Sequence, residues 1–315
     1  MRKRDVLPIF NERFALCSLG MLPRLTLTIL LLGASLAAQS PPLMLGALED
    51  TSGKFAEDPH SRSVRAIFYK SGSDWKPFAT DCISEDCLRK LASDFPRETD
   101  WTIAFDGRKI GQLRSRIPAE IESYSRAGQQ QILNAGPKNP VATIGQRTDE
   151  FAGFIEEPVY RPLVAISEPN FKDPDVWKPV LLDAATTMAV RHEFRKKYPK
   201  ITDCEVEELR DYRDLDIKIL HAYASKPGWR LILTSVKGCD IDDLRGDGLS
   251  LEWFIVDPTG AARYLHGNMR LVDAGDYDNS GHSQLLFLID DDNRGGYRFY
   301  YDDFQKEAAF EYTFH

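Results

Sequence analysis

The sequence predicts a β-rich protein of the α+β class, in which an N-terminal α+β module precedes a mainly antiparallel C-terminal module built as a sandwich or as propeller-like blades. Short apolar segments rich in aromatic and β-branched residues recur along the chain, separated by turns of Asp, Asn and Gly. Apolar residues follow helical spacing in two segments only. A content of 43% hydrophobic and 28% charged residues is typical of a globular protein with a sizeable core.

The start of the chain is predicted to contain three parts. Residues 1–20 are interpreted as a gene-start extension, because Met21 opens a short basic segment of the kind that begins a signal peptide. Residues 25–33 are apolar and small residues follow them, so residues 21–38 are predicted to be a cleaved signal peptide. This apolar stretch is shorter than the ~20 residues of a membrane span, and we expect no span in the mature chain. Residues 39–62, rich in Pro, Ser, Gly and acidic residues, are expected to form a flexible leader.

The elements of the N-terminal module are predicted over residues 63–135. Ser84 is a suitable N-cap for a helix that ends before Pro96. Asp106 and Gly107 form a strong hairpin signal between two strands. The four predicted strands cover residues 64–69, 75–79, 101–105 and 109–113.

A loop-rich linker is predicted over residues 136–176, where prolines are frequent, and the β-rich module over residues 177–315. The module begins with a helix over residues 181–197, whose basic end suits the C-terminal helix dipole. The strands predicted after it cover residues 217–223, 229–236, 251–256, 261–265, 285–289, 297–301 and 308–314.

Cysteine content is consistent with export to a secreted or periplasmic location. Cys17 precedes the predicted signal peptide, which leaves an even number of cysteines in the mature chain. Two disulfides, Cys82–Cys87 and Cys204–Cys239, fit the predicted module boundaries, and four unpaired buried thiols are the alternative. Removal of residues 1–38 changes the formal charge from −8 to −11 and leaves no basic block, so we expect no nucleic-acid partner.

One segment near the C-terminus combines oxygen-bearing side chains with a glycine-hinged turn. Asp276, Asp278, Ser280 and Gln284 alternate along it, and the backbone carbonyl of His282 fills the remaining place in the alternation. Gly281 permits the sharp turn that lets such a loop surround a hard cation. The pattern favours a Ca²⁺ site, and a polar hairpin that binds nothing is the alternative.

The stretch Ala274-Gly275-Asp276-Tyr277-Asp278-Asn279-Ser280-Gly281 resembles the opening of an FG-GAP (integrin-α-like) calcium loop over about 15 residues. The resemblance implies Ca²⁺ ligation by Asp276, Asp278, Ser280, Gln284 and the carbonyl of His282, in a loop that opens into a strand of a β-propeller blade. Ser280 and Gln284 stand where that family usually has carboxylates. With two formal charges, we expect weak binding, with a Kd of about 10⁻⁴ to 10⁻³ M.

These patterns favour an exported, non-catalytic binding or structural protein whose C-terminal module is stabilised by Ca²⁺. Its ligand would be an extracellular or envelope component, either a glycan or a protein. No catalytic signature stands out in the sequence, and a secreted hydrolase with an active site assembled from distant residues is the alternative.

Overall fold

The computed structural model describes residues 41–50, 62–137, 147–149, 153–155, 161–173, 175–202, 209–237, 249–291 and 293–313. Residues 41–315 belong to one unit. The predicted gene-start extension at 1–20 and signal peptide at 21–38 lie outside the described residues, as do Cys17, Cys204 and Cys239. No helix in the described ranges has the length and apolar character needed to cross a membrane.

The described residues form twenty strands and two α-helices, which agrees with the predicted β-rich class. The first ten strands are β1 Met44–Asp50, β2 Arg62–Ser71, β3 Asp74–Pro77, β4 Glu98–Phe105, β5 Arg108–Arg116, β6 Gln129–Ile132, β7 Arg147–Asp149, β8 Gly153–Ile155, β9 Leu163–Ile166 and β10 Lys178–Pro179. The others are β11 Lys200–Thr202, β12 Leu209–Asp211, β13 Ile217–Ala224, β14 Arg230–Lys237, β15 Leu249–Val256, β16 Ala262–Gly267, β17 Met269–Gly275, β18 Gln284–Asp291, β19 Arg294–Tyr301 and β20 Lys306–Thr313. The helices are α1 Glu85–Asp94 and α2 Ala184–Lys197, and short 3-10 turns lie at Tyr124–Arg126 and Asp214–Asp216.

The first sheet has the antiparallel order β1-β9-β4-β5-β6-β2-β3. Because β1 pairs with β2 as well as with β9, this sheet closes on itself. The predicted hairpin at Asp106-Gly107 connects β4 to β5, and both turn residues have a positive φ (48° and 68°).

Helix α1 begins where the sequence predicts it. The Ser84 side chain accepts a hydrogen bond from the Cys87 N–H at 3.3 Å, which satisfies one of the unpaired amides of the first turn. Cys82 and Cys87 form the predicted disulfide, with their Cα atoms 5.3 Å apart. Cys82 also packs with Leu88 and Ile117 in a small apolar cluster, so the bridge holds the start of the helix against the end of β5.

Helix α2 covers one face of a five-stranded sheet with the order β10-β13-β14-β15-β16. Its N-cap is Asp183, which accepts a hydrogen bond from the Thr186 N–H at 2.6 Å. Val190 and Phe194 of the helix pack with Phe254 of β15 and its neighbours on this face. The opposite face carries Trp253 and Ile255, because successive strand residues point to opposite sides.

The central sheet, β17-β18-β19-β20, is apolar on both faces. Leu286 and Phe299 pack toward the first sheet, where the Phe68 and Phe299 rings stack with centroids 5.6 Å apart. Leu285 and Phe287 pack toward the five-stranded sheet, where Phe287 contacts Trp253 at 5.2 Å between ring centroids. Burial of both faces explains why residues 285–289 form an unbroken apolar run.

Two segments that the sequence assigned to irregular structure contain buried strands. Met44–Asp50, inside the predicted leader of residues 39–62, is β1, and residues 44–48 are buried. Leu163–Ile166, inside the predicted linker of residues 136–176, is β9 and is fully enclosed. Each is a short apolar run flanked by prolines and polar residues. These flanking residues favour turns, so the sequence pattern predicted irregular structure and not a strand.

Candidate functional site

The predicted calcium loop connects β17 to β18 at one end of the central sheet. Gly275 and Gln284 are paired at its base, so the loop is a hairpin of residues 276–283. Asn279 and Gly281 have positive φ values of 53° and 84°, which reverse the chain at its tip. Gly281 has open space around its Cα, so its backbone conformation, not crowding, favours glycine there.

Asp276 holds the loop in its curled shape. Its side chain is almost completely buried, at 2% exposure. Oδ1 accepts a hydrogen bond from the Ser280 N–H at 2.9 Å, and Oδ2 accepts one from the Gly281 N–H at 2.7 Å. These bonds turn the backbone around the carboxylate and bring the later positions of the loop back toward Asp276.

Three of the predicted ligand oxygens converge on one atom, the carboxamide nitrogen of Gln284. Nε2 lies 2.9 Å from Asp278 Oδ1, 3.4 Å from Ser280 Oγ and 2.6 Å from the His282 carbonyl oxygen. Gln284 Oε1 faces the other way and accepts a hydrogen bond from the Tyr277 N–H at 2.7 Å. The structure therefore brings all five predicted residues together, with a nitrogen of Gln284 facing the other oxygens.

Lys70 of β2 supplies a full positive charge at the edge of the loop. Its Nζ lies 2.6 Å from Asp278 Oδ2, although the two residues are 208 positions apart in the sequence. The Asp278 side chain is 7% exposed and that of Lys70 is 28% exposed, so this ion pair is partly shielded from water.

The two loop carboxylates differ in their protonation behaviour. Burial and the adjacent Asp278 raise the pKa of Asp276 above its usual value. Burial also acts to raise the pKa of Asp278, but hydrogen bonds from Lys70 and Ser280 outweigh it and lower that pKa. A cation between two such carboxylates would relieve their repulsion.

Residues 171–173 and 175–177 contact the outer side of the loop. Phe171 stacks on Tyr277 with ring centroids 5.9 Å apart. Ser283 Oγ donates a hydrogen bond to Asp175 Oδ2 at 3.1 Å and accepts one from Trp177 Nε1 at 3.2 Å. The loop therefore has a fixed frame made largely of residues outside it.

The His282 ring lies on the solvent side of the loop, where its Nδ1 is 2.9 Å from Asp303 Oδ1. This contact with Asp303 raises the pKa of His282. Only the backbone carbonyl of His282 faces the convergence point, so the imidazole is free of any predicted role in cation binding.

The donor set fits a small hard cation in part. Carboxylate, hydroxyl and carbonyl oxygens are the ligands that Ca²⁺ prefers, and here they face a common point. Among the described residues, no group of three or more His, Cys, Asp or Glu side chains is arranged to hold a metal. The predicted set contains only two carboxylates, which is consistent with a weak site.

Sequence patterns missed the contribution of residues far from the loop. Lys70 comes from the first sheet, and Asp173 lies close enough to affect the loop electrostatically. Burial, together with the nearby charges of Asp175 and Asp276, raises the pKa of Asp173 to about 6. These residues become neighbours of the loop only when the sheets pack together, so no local spacing could identify them.

Two other features bear on the hydrolase alternative. The hydroxyl of Ser283 is engaged with Asp175 and Trp177, as described above. A cavity of about 20 Å³ lies between α1 and the first sheet, lined by apolar side chains and two glutamines, and it has room for about one water molecule. The Ser283 hydroxyl thus has a carboxylate within hydrogen-bond distance, but neither Ser283 nor Asp175 lines the cavity.

Comparisons with protein-family models, with curated proteins and with solved structures found no match to this chain.

Proposed function

We propose that the β17–β18 hairpin is a weak calcium site and that the chain is an exported, non-catalytic protein whose β-rich part Ca²⁺ stabilises. The observation that carries the proposal is the convergence of oxygens from positions 278, 280 and 282 on a single point. In the described loop these oxygens contact Gln284 Nε2, and a Ca²⁺ loop needs the same inward direction of alternate oxygens.

The role assigned to the ion is structural. The side chains of Asp276, Asp278 and Ser280 and the carbonyl of His282 would hold it, and Gln284 would join them by presenting Oε1 instead of Nε2. The ion would supply positive charge between two close carboxylates. It would thereby fix the hairpin that starts β18, a strand with both faces in the core.

The fold proposed around the site is an N-terminal α+β module followed by a sandwich-like or blade-like antiparallel module. Export to a secreted or periplasmic location is supported by the Cys82–Cys87 disulfide, since such bonds persist mainly in oxidising compartments. The proposed partner is a glycan or protein outside the cytoplasm. The hydrolase alternative stays a prediction.

A thermal melt with Ca²⁺ and with a chelator tests the calcium site. For a Kd near 1 mM, 10 mM Ca²⁺ should stabilise the folded state by about 1.4 kcal/mol, which corresponds to a Tm increase of about 3 to 5 °C. NaCl at the same ionic strength serves as the control.

Two variants make this test specific to the loop. Asp278→Asn removes one of the two formal charges that face the site and should abolish most of the Tm increase. His282→Ala keeps the backbone carbonyl and removes only the solvent-side ring, so its response to Ca²⁺ should equal that of the unaltered protein. Equal melting temperatures with Ca²⁺ and with chelator, up to tens of millimolar, would refute the site.

A further inference from the structure

Lys70 contacts a carboxylate that the proposed cation would also use, that of Asp278. Its ammonium lies 2.6 Å from Asp278 Oδ2, the normal distance of a charge-assisted hydrogen bond. We infer that Lys70 is a built-in competitor of calcium, so that binding of Ca²⁺ at the proposed site releases Lys70 from the loop. The inference rests on the proposed function, because it concerns how that same site is regulated.

The competition follows from the charges at the site. Only Asp276 and Asp278 contribute formal negative charge among the predicted ligands, and calcium affinity depends strongly on the number of charged ligands. An ammonium on Asp278 neutralises half of that charge. Ca²⁺ and the ammonium at Asp278 would repel each other at close range, so each lowers the affinity of the site for the other.

The side-chain amide of Gln284 is a second hydrogen-bond donor to the same loop, and it is neutral. Its Nε2 donates toward the three oxygens that would face the ion. Lys70 and Gln284 thus both donate hydrogen bonds to Asp278. Lys70 donates to Oδ2, and Gln284 donates to Oδ1. Both carboxylate oxygens of Asp278 therefore have donors in the described loop, and calcium would displace Gln284 Nε2 from Oδ1 and weaken the contact of Lys70 with Oδ2.

The position of Lys70 gives the competition a structural consequence. Lys70 lies near the end of β2 in the first sheet, whereas Asp278 belongs to the hairpin of the central sheet. Their ion pair is therefore a contact between two sheets. Release of Lys70 would exchange this contact for a bound ion and leave an ammonium available at the surface.

Chemical labelling of lysines tests the release directly in the unaltered protein. Acetic anhydride is applied at limiting concentration with CaCl₂ or with chelator, and acetylation of each lysine is measured by mass spectrometry. We expect acetylation of Lys70 to become several-fold faster with saturating Ca²⁺, because its ammonium loses the carboxylate that holds it. Lys76, an exposed lysine of the neighbouring strand β3, should react at the same rate in both conditions.

A matched pair of variants tests the competition from the side of the metal. Lys70→Met should tighten Ca²⁺ binding by about tenfold, within the ~5- to 150-fold range of coupled sites, as measured by calorimetric titration with CaCl₂. Lys76→Met removes the same charge from the same sheet away from Asp278, and should change the Kd by less than twofold.

The possible outcomes separate this inference from the proposed function. If Ca²⁺ stabilises the protein but Lys70 labels no faster with it, and Lys70→Met binds no tighter than Lys76→Met, the competition is refuted while the calcium site stands. If Ca²⁺ produces no binding signal in the unaltered protein or in either variant, the proposed function and this inference fail together.

Discussion

Gln284 has a carboxamide whose two ends serve different parts of the loop. Its oxygen satisfies the Tyr277 N–H, and its nitrogen supplies donors to Asp278, Ser280 and the His282 carbonyl. A carboxylate at this position could not donate these hydrogen bonds, so a loop carrying one would depend on a cation. The amide therefore stabilises the hairpin without a cation, and at the proposed site it would lower the affinity for calcium.

Gln284→Glu should reverse that balance. It adds a third formal charge to the ligand set and removes the competing donor, so Ca²⁺ should bind at least tenfold tighter, as measured by calorimetry. The calcium-free variant should melt at a lower temperature than the unaltered protein, because the loop oxygens lose the two N–H donors of the carboxamide.

Gln131→Glu, at an exposed position on β6 in the first sheet, is the control for added charge. It should leave both quantities nearly unchanged. A Gln284→Glu variant that binds Ca²⁺ no better than this control would contradict the ligand role of position 284.

At the residue scale, the alternation of oxygens and the glycine at 281 predict a loop whose oxygens face inward, and oxygens at positions 278, 280 and 282 contact Gln284 Nε2. The direction of these oxygens follows from local backbone geometry, so residue spacing in the sequence can predict it. Lys70 could not be predicted, since its approach to Asp278 depends on how β2 packs against the central sheet. The orientation of Gln284 depends likewise on its partners in the folded loop, which are the Tyr277 N–H at Oε1 and the oxygens at Nε2.

Elements with strong local signals agree closely with their prediction. Helix α1 follows the Ser84 cap, and the β4–β5 hairpin follows the Asp106-Gly107 turn. β1 and β9 were missed because they are short apolar runs that pair with each other over a long sequence separation, although β1 also pairs with the next strand, β2. Such strands are stabilised by burial within the closed sheet, which no local pattern reports.

The Cys82–Cys87 bridge belongs to α1 and should stabilise the fold mainly through that element. Loss of a disulfide that closes so short a loop costs about 2 kcal/mol, so Cys82→Ala/Cys87→Ala should lower the Tm by roughly 5 °C. The measurement is a thermal melt of both proteins with and without reductant.

Reductant should lower the Tm of the unaltered protein toward that of the double variant. Because Cys204 and Cys239 are present in both proteins, any effect of reductant on the variant gives their separate contribution. A double variant that melts at the original temperature would show that the bridge adds no stability.

At the scale of the whole molecule, a group of buried polar side chains lies where the first and central sheets meet. Glu49 and Arg65 form an ion pair at 2.7 Å there, and the Tyr297 hydroxyl donates to Glu49 at 2.7 Å. Asp273 is 6% exposed, and its Oδ2 has no hydrogen-bond partner among the described protein atoms. A buried, unpaired carboxylate is costly in its charged form.

Burial raises the pKa of Asp273 to about 7, which makes the stability of the whole fold depend on pH. The folded state then holds a proton that the unfolded state loses near pH 4, so the free energy of unfolding should fall as pH rises from about 4 to about 7. A shift of this size corresponds to roughly 4 kcal/mol at most. The charged groups that act on Asp273 are Arg161, Asp106 and Asp173.

Asp273→Asn should remove this loss, because the amide stays neutral while its oxygen can still accept from the Ala274 N–H. Denaturant unfolding at pH 4 and pH 8 measures the effect, and the variant should gain stability relative to the unaltered protein at pH 8 but not at pH 4. Asp94→Asn, at an exposed position of α1, is the control. Identical pH dependence in all three proteins would contradict the assignment.

The central sheet is made by residues 269–313, which are the last described strands to be synthesised. Both flanking sheets come from earlier sequence, yet each buries its inner side chains against this layer. During translation, the apolar surfaces of the earlier sheets therefore stay exposed until the final hairpins leave the ribosome. A nascent chain of this design stays incompletely packed for most of its synthesis, and a truncation before β18 would leave both hydrophobic interfaces without their common partner.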